Sequence, residues 1–141
     1  MDTKTQPITV QAKVNANLEK VWKYWTTPEH IMNWNFASDD WICPEVQNDL
    51  EVNGEFNYRM ESKDGEMGFD FEGTYYNIIE EELIEYKIDD GRLVSIEFLQ
   101  DGDSVIVTET FEPEDKNSKE LQENGWQAIL DNFKKYVESN S

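Results

Sequence analysis

Few residues in this chain combine a reactive type with a useful spacing. The single histidine, His30, and the single cysteine, Cys43, make no zinc-ligand pattern, because tetrahedral zinc needs several such donors at short intervals. Cys43 has no basic run beside it to favour a thiolate, so it reads as a small buried apolar residue. His30 falls in the first turn of a short helix and reads as a surface residue. Acidic clusters occur at Asp39-Asp40, Glu80-Glu81-Glu82, Asp89-Asp90 and Glu112 to Asp115. They sit at predicted strand ends and loops, which makes them solvated edges, and none follows a calcium-loop pattern. There is no glycine-rich phosphate loop and no Gly-x-Ser-x-Gly. Neither a metal nor a cofactor is expected.

Two polar residues stand among apolar ones. Glu109 shares a strand face with Val105, Val107 and Phe111, while Ile106 shares the other with Thr108 and Thr110. If the first face points inward, a carboxyl enters the interior, where lost hydration raises its pKa. If the second does, Glu109 meets water. Gln122 lies in the apolar face of the last predicted helix, one turn in. It is placed either to hydrogen-bond a ligand's polar head or to face solvent where the helix start overhangs the sheet. Arg59 alternates away from Phe56, Tyr58 and Met60 and reads as a surface partner for nearby glutamates.

The elements that would position these residues follow from periodicity. Ile8 to Val14 alternates as a half-buried strand. Asn15 is the predicted cap of a short helix carrying Leu18, Val21, Trp22 and Trp25, and Thr27-Pro28 starts a second one through Ile31 and Trp34. Asn35 to Asp49 reads as a loop leading to a short strand, with Trp34 and Trp41 in or beside it, either plugging the mouth of the core or lining a ligand entrance. Asn53-Gly54, Asp64-Gly65, Asp90-Gly91 and Asp101-Gly102 then mark tight turns. Between them lie strands from Glu55 to Ser62, Met67 to Ile79, Leu83 to Ile88, Leu93 to Leu99 and Ser104 to Phe111. A phase change near Tyr76 and Ile78 predicts a bulge, with Gly73 near the bend. Ser118 to Glu138 is the strongest helix signal, with Trp126, Ile129, Leu130, Phe133, Tyr136 and Val137 on one face and Asn117 with Glu120 as a capping box. Its first half offers only Ser118, Gln122 and Gly125 at those angular positions, so space is expected beneath it.

At 141 residues the chain is read as one domain, with its core from about residue 7 to 138. A net charge of −19 argues against nucleic acid or anionic lipid as partner, because both need basic surface. No apolar run approaches the roughly 20 residues that span a bilayer. The N-terminal stretch lacks a signal-peptide pattern, and the lone cysteine rules out an internal disulfide, so a reducing cytoplasm is the expected compartment. The predicted fold class is α+β: a curved antiparallel sheet of about six to seven strands wrapped around a long C-terminal helix, with two short helices after the first strand.

Particular phrases sharpen this order. Val14-Asn15-Ala16 leading to Val21-Trp22, Trp25-Thr26-Thr27-Pro28-Glu29, Phe71-Glu72-Gly73-Thr74-Tyr75, and the run from Gly125-Trp126 to Asn132-Phe133 resemble the START-like superfamily, also called the helix-grip or SRPBCC fold. The branch they resemble most is that of the activator of heat-shock-protein-90 ATPase. The resemblance implies the fold over roughly Pro7 to Glu138. It also implies a function drawn from a wide set, since superfamily members bind lipids, hormones and polyketides and a few are cyclases or hydrolases. The founding co-chaperone has a further N-terminal domain that contributes to chaperone stimulation, and this chain is expected to lack it.

The leading expectation is a module that binds a small apolar or amphipathic molecule between sheet and helix. Its candidate lining is Trp25, Trp34, Trp41, Phe56, Tyr58, Met60, Phe69, Phe71, Tyr75, Ile96, Phe98, Glu109, Gln122, Trp126, Ile129 and Phe133. The alternatives are a co-chaperone-like domain acting on a heat-shock chaperone and a cavity enzyme using Glu109 as acid or base.

Overall fold

Alternating apolar residues build a sheet, and one amphipathic helix lies on it. The computed structural model describes residues 6–140. The first part of the N-terminal stretch read for a signal pattern lies outside them. The elements are β1 (Ile8–Val14), α1 (Leu18–Thr26), α2 (Pro28–Ile31), β2 (Trp41–Asn48), β3 (Glu55–Ser62), β4 (Gly68–Ile79), β5 (Leu83–Ile88), β6 (Leu93–Asp101), β7 (Ser104–Phe111) and α3 (Lys119–Ser139). All seven strands form one antiparallel sheet in the order β1-β7-β6-β5-β4-β3-β2, curled into a half-barrel. Strands β2 to β7 are a plain meander, and β1 returns beside β7.

One residue in each of the four predicted turns does what its type allows. Asn53, Gly65, Gly91 and Gly102 adopt positive φ, the region open to Gly and Asn at little steric cost. The predicted bulge in β4 is present, as a register shift between Tyr75 and Asn77. Gly73 serves a different purpose from bending. A Cβ there would stand 2.7 Å from the Phe56 ring and 2.7 Å from the Lys87 carbonyl, so the absence of a side chain lets Phe56 press against the backbone. At the β2 edge the loop expected after Asn35 leads, as predicted, to a strand, which is eight residues long and broken by a register shift between Ile42 and Glu45 where Pro44 removes a ladder donor.

Thr27 caps α2 with Pro28 at its first position, as expected, and the other two predicted caps move. The α1 cap is Asn17, whose side chain accepts from the Lys20 N–H at 2.8 Å. Asn15 instead donates its backbone N–H to Glu138 and accepts from the Ser104 hydroxyl, tying β1 to α3 and β7. The α3 cap is Ser118, accepting from the Leu121 N–H, while Asn117 bonds Glu114. In each case the helix starts later than the first residue able to cap it, because the first capable side chain is drawn into a tertiary or loop contact.

Helix α3 also protects the β1 edge. Gln127 accepts from the Gln11 N–H and donates to the Gln11 carbonyl, taking the place of a neighbouring strand. Farther along, Leu130, Phe133 and Val137 are fully buried. Phe133 meets Trp25 and Trp34 edge-on, each at 4.8 Å between centroids. That aromatic cluster closes one end of the space between helix and sheet.

Candidate functional site

A cavity of about 330 Å³ occupies the other end, under the first half of α3. Its floor comes from inward residues of the central strands: Tyr58 and Met60 on β3, Phe71 and Tyr75 on β4, Ile84 and Tyr86 on β5, Ile96 on β6 and Glu109 on β7. Its roof is Gln122, Trp126 and Ile129 of α3, and its inner wall is Trp25, Trp34 and Asn35. Phe69 and Asn117, both solvent-exposed, mark the mouth. Trp126 is held in place by stacking on Phe111, 3.9 Å between centroids and 9° from parallel.

Most of the predicted lining is brought together here, and four residues are not. Phe56 points inward with its neighbours but is 3% exposed and lies behind Tyr58, Phe71, Tyr75 and Tyr86, all within 6 Å of its ring. Phe98 and Phe133 belong to the closed aromatic end, against Trp25. Trp41 is half-buried outside the cavity and packs on Phe69. Residues not foreseen are Asn35, Ile84, Tyr86, Arg92, Glu114 and Asn117. Ile84 and Tyr86 were legible as an inward pair on β5. Arg92 carried a signal only in following the Asp90-Gly91 turn.

Glu109 points inward. It pairs across the ladders with Val10 and Ile96, and its neighbours Val105, Val107 and Phe111 have no exposed surface. The carboxyl is 5% exposed, and burial pushes its pKa up to about 8. No group among the described residues hydrogen-bonds it. Tyr86 is held well above the ordinary tyrosine value by burial and, secondarily, by the Glu109 charge. Tyr58 is likewise raised by burial, and its hydroxyl joins Tyr75, which donates to Asn48.

Gln122 matches neither expectation. It is 8% exposed, but its amide is already occupied. Its Oε1 accepts from the Glu114 N–H at 2.8 Å, and its Nε2 donates to the carbonyls of Asn117 at 2.9 Å and Glu114 at 3.2 Å. Gln122 therefore pins the 112–118 loop across the cavity rim and is not free to hold a ligand. Gly125 lies off the lining, beside open space.

The residues outside the cavity are structural. Arg59 pairs with Glu61 and Asp70 on the surface. Cys43 is 2% exposed, with its thiol pKa raised by burial. His30 is not a plain surface residue. It stacks on Tyr24 at 3.9 Å, its Nδ1 lies 2.7 Å from the Tyr136 hydroxyl, and burial lowers its pKa. Among the described residues no helix is long and apolar enough to cross a membrane.

The sequence profile of the Activator of Hsp90 ATPase homolog 1-like protein matches residues 15–138. The chain belongs to that family. The AHSA1-like protein from Aeromonas hydrophila is 40% identical, with a TM-score of 0.90 over 95% of this chain and 93% of that one. A protein from Cytophaga hutchinsonii is 49% identical, with a TM-score of 0.80 over 97% and 94%. A Chromobacterium violaceum protein at 20% identity and a TM-score of 0.84, over 94% of this chain and 98% of that one, shares the fold. No curated protein matches the chain. Family membership agrees with the helix-grip architecture, a half-barrel closed by a C-terminal helix.

Proposed function

We propose that this AHSA1-like domain binds a small amphipathic molecule in the cavity beneath α3. The observation that carries the reading is the cavity itself: about 330 Å³ of space in a core that is otherwise densely packed with rings, lying at the lower end of the size range of small-molecule sites. An unfilled apolar space forfeits dispersion contacts, so a chain that keeps one bears a stability cost that a bound ligand removes. Rings from both sheet and helix supply the apolar contact, and Glu109 and Tyr86 supply polar atoms at the floor. The pinned 112–118 loop and Phe69 frame the entrance. Trp25, Trp34 and Trp126 lie on the lining, so binding should be read directly in tryptophan emission. Titration with a panel of amphipathic compounds, with native mass spectrometry of the protein as purified, tests the proposal. Saturable emission changes and a retained or added ligand mass support it; a flat response across the panel with no ligand mass sinks it.

A second reading rests on the family itself, whose name refers to stimulation of a chaperone ATPase. Adding the protein to its host's heat-shock-protein-90 homologue and measuring ATP turnover tests that reading. Unchanged turnover at saturating protein removes it.

A further inference from the structure

Glu109 has a cost and no structural partner. Glu109 is 5% exposed, lines the cavity and is unpaired among the described residues, so its ionisation carries a cost that glutamine would not incur. Its use must therefore lie in what only a carboxylate does. The geometry points to a ligand that carries a protonated amine, seated on Glu109, with an apolar body filling the ring-lined space. This rests on the small-molecule reading above and names the chemistry of its ligand.

Three features favour a cation over a neutral acceptor. A ligand carbonyl would be served equally by a glutamine amide, with no ionisation to suppress, whereas only a carboxylate forms an ion pair. Trp126, Tyr58 and Tyr86 on the lining supply aromatic rings, which attract a cation as well as apolar groups. The protein's net charge of −19 concentrates cations around it and repels anions.

The other charged groups on the cavity already have polar partners. Arg92 is engaged by Asp90, with Nε 2.9 Å from Oδ2. The Glu114 carboxylate accepts from both the backbone and side-chain N–H groups of Asn117. Tyr58, Tyr75 and Tyr86 are all raised by burial and stay neutral. From α3 the lining groups are Gln122, Trp126 and Ile129, and from β6 Ile96, none of them charged.

Glu109 holds its proton at neutral pH when the cavity is empty, so an ammonium ligand expels that proton to solvent as it binds. Apparent affinity should then rise roughly tenfold from pH 6 to 7, in step with the ionised fraction, and level off above about pH 8. The test uses octylamine, 1-octanol and 2-octanone, followed by tryptophan emission and by calorimetry in two buffers of different ionisation enthalpy. The expected result is octylamine binding about tenfold or more tighter than the alcohol and ketone at pH 7, with close to one proton released. In Glu109→Gln the preference and the proton release should both vanish, while the alcohol still binds. If the alcohol or ketone binds wild type as tightly as the amine, or the preference survives in Glu109→Gln, the amine assignment is wrong and the cavity reading stands. If none of the three binds, both fail.

Discussion

The Glu109 carboxyl makes a quantitative prediction about stability. Its ordinary pKa of 4.5 is raised by burial to about 8 in the folded chain. Between those values the native state keeps a proton that the unfolded state has lost. Native binding then exceeds unfolded binding, so this group lowers stability as pH rises. The penalty is absent below pH 4.5, grows by about 1.36 kcal/mol per pH unit, and levels off above pH 8. Glu109→Gln removes the titration while keeping the shape of the side chain. Constant differences in packing or hydrogen bonding between the two proteins do not vary with pH, and any titration they share, including that of the acidic surface, cancels in the difference. The quantity to measure is therefore the gap in unfolding free energy between variant and wild type, from urea denaturation at steps from pH 5.5 to 8. This range keeps both proteins above the isoelectric point of about 4.2. The gap should move by about 3 kcal/mol in favour of the glutamine variant across it. Parallel profiles, with the gap constant to within about 0.5 kcal/mol, would refute the argument, because they would mean that Glu109 is ionised and hydrated in the native state.

Three other substitutions probe the frame of the site. Gly73→Ala should destabilise by about 1–3 kcal/mol, since its Cβ would meet the Phe56 ring and a backbone carbonyl that cannot retreat, and a fall in the urea midpoint at unchanged slope checks this. Gln122→Ala should cost about 1–3 kcal/mol and speed amide exchange at Glu114, the donor that Gln122 satisfies; unchanged exchange there would show that the loop is held by other contacts. Gly125→Ala should stabilise by about 0.5–1 kcal/mol, because the residue is inside α3 and a Cβ there meets nothing within 4 Å. A lowered thermal midpoint for Gly125→Ala would contradict that account.

Much of the fold was legible because its signals are local. Period-two alternation marks the strands, Asp-Gly and Asn-Gly pairs mark the turns, and the spacing from Trp126 to Val137 marks the helix that must cover the sheet. The Thr27 cap of α2 was legible, whereas the other two caps were misplaced by one or two residues, because Asn15 and Asn117 are equally able to cap and the competition is settled by Ser104, Glu138 and Glu114. Family phrases around Gly125-Trp126 pointed to the architecture that the sheet order then displayed.

The candidate site was legible in its residue types and illegible in its depth. Alternation assigns Phe56, Tyr58 and Met60 to one face but cannot say which ring borders empty space. That is decided by curvature, which packs Phe56 behind four other rings and leaves Tyr58 on the cavity. The β7 sequence has apolar and polar residues on both faces, so its own pattern could not orient Glu109. Pairing with β1 on one side and β6 on the other did so, by aligning Val105, Val107 and Phe111 with the inward rows of both neighbours. Gln122 was visible as a polar residue in an apolar stripe, yet only the folded loop shows that its amide is already occupied. The sequence by itself determined the elements, their order and the supply of rings, because those depend on neighbours along the chain. Tertiary structure alone decided that a buried carboxyl faces a cavity, because burial and free volume depend on residues far apart in sequence.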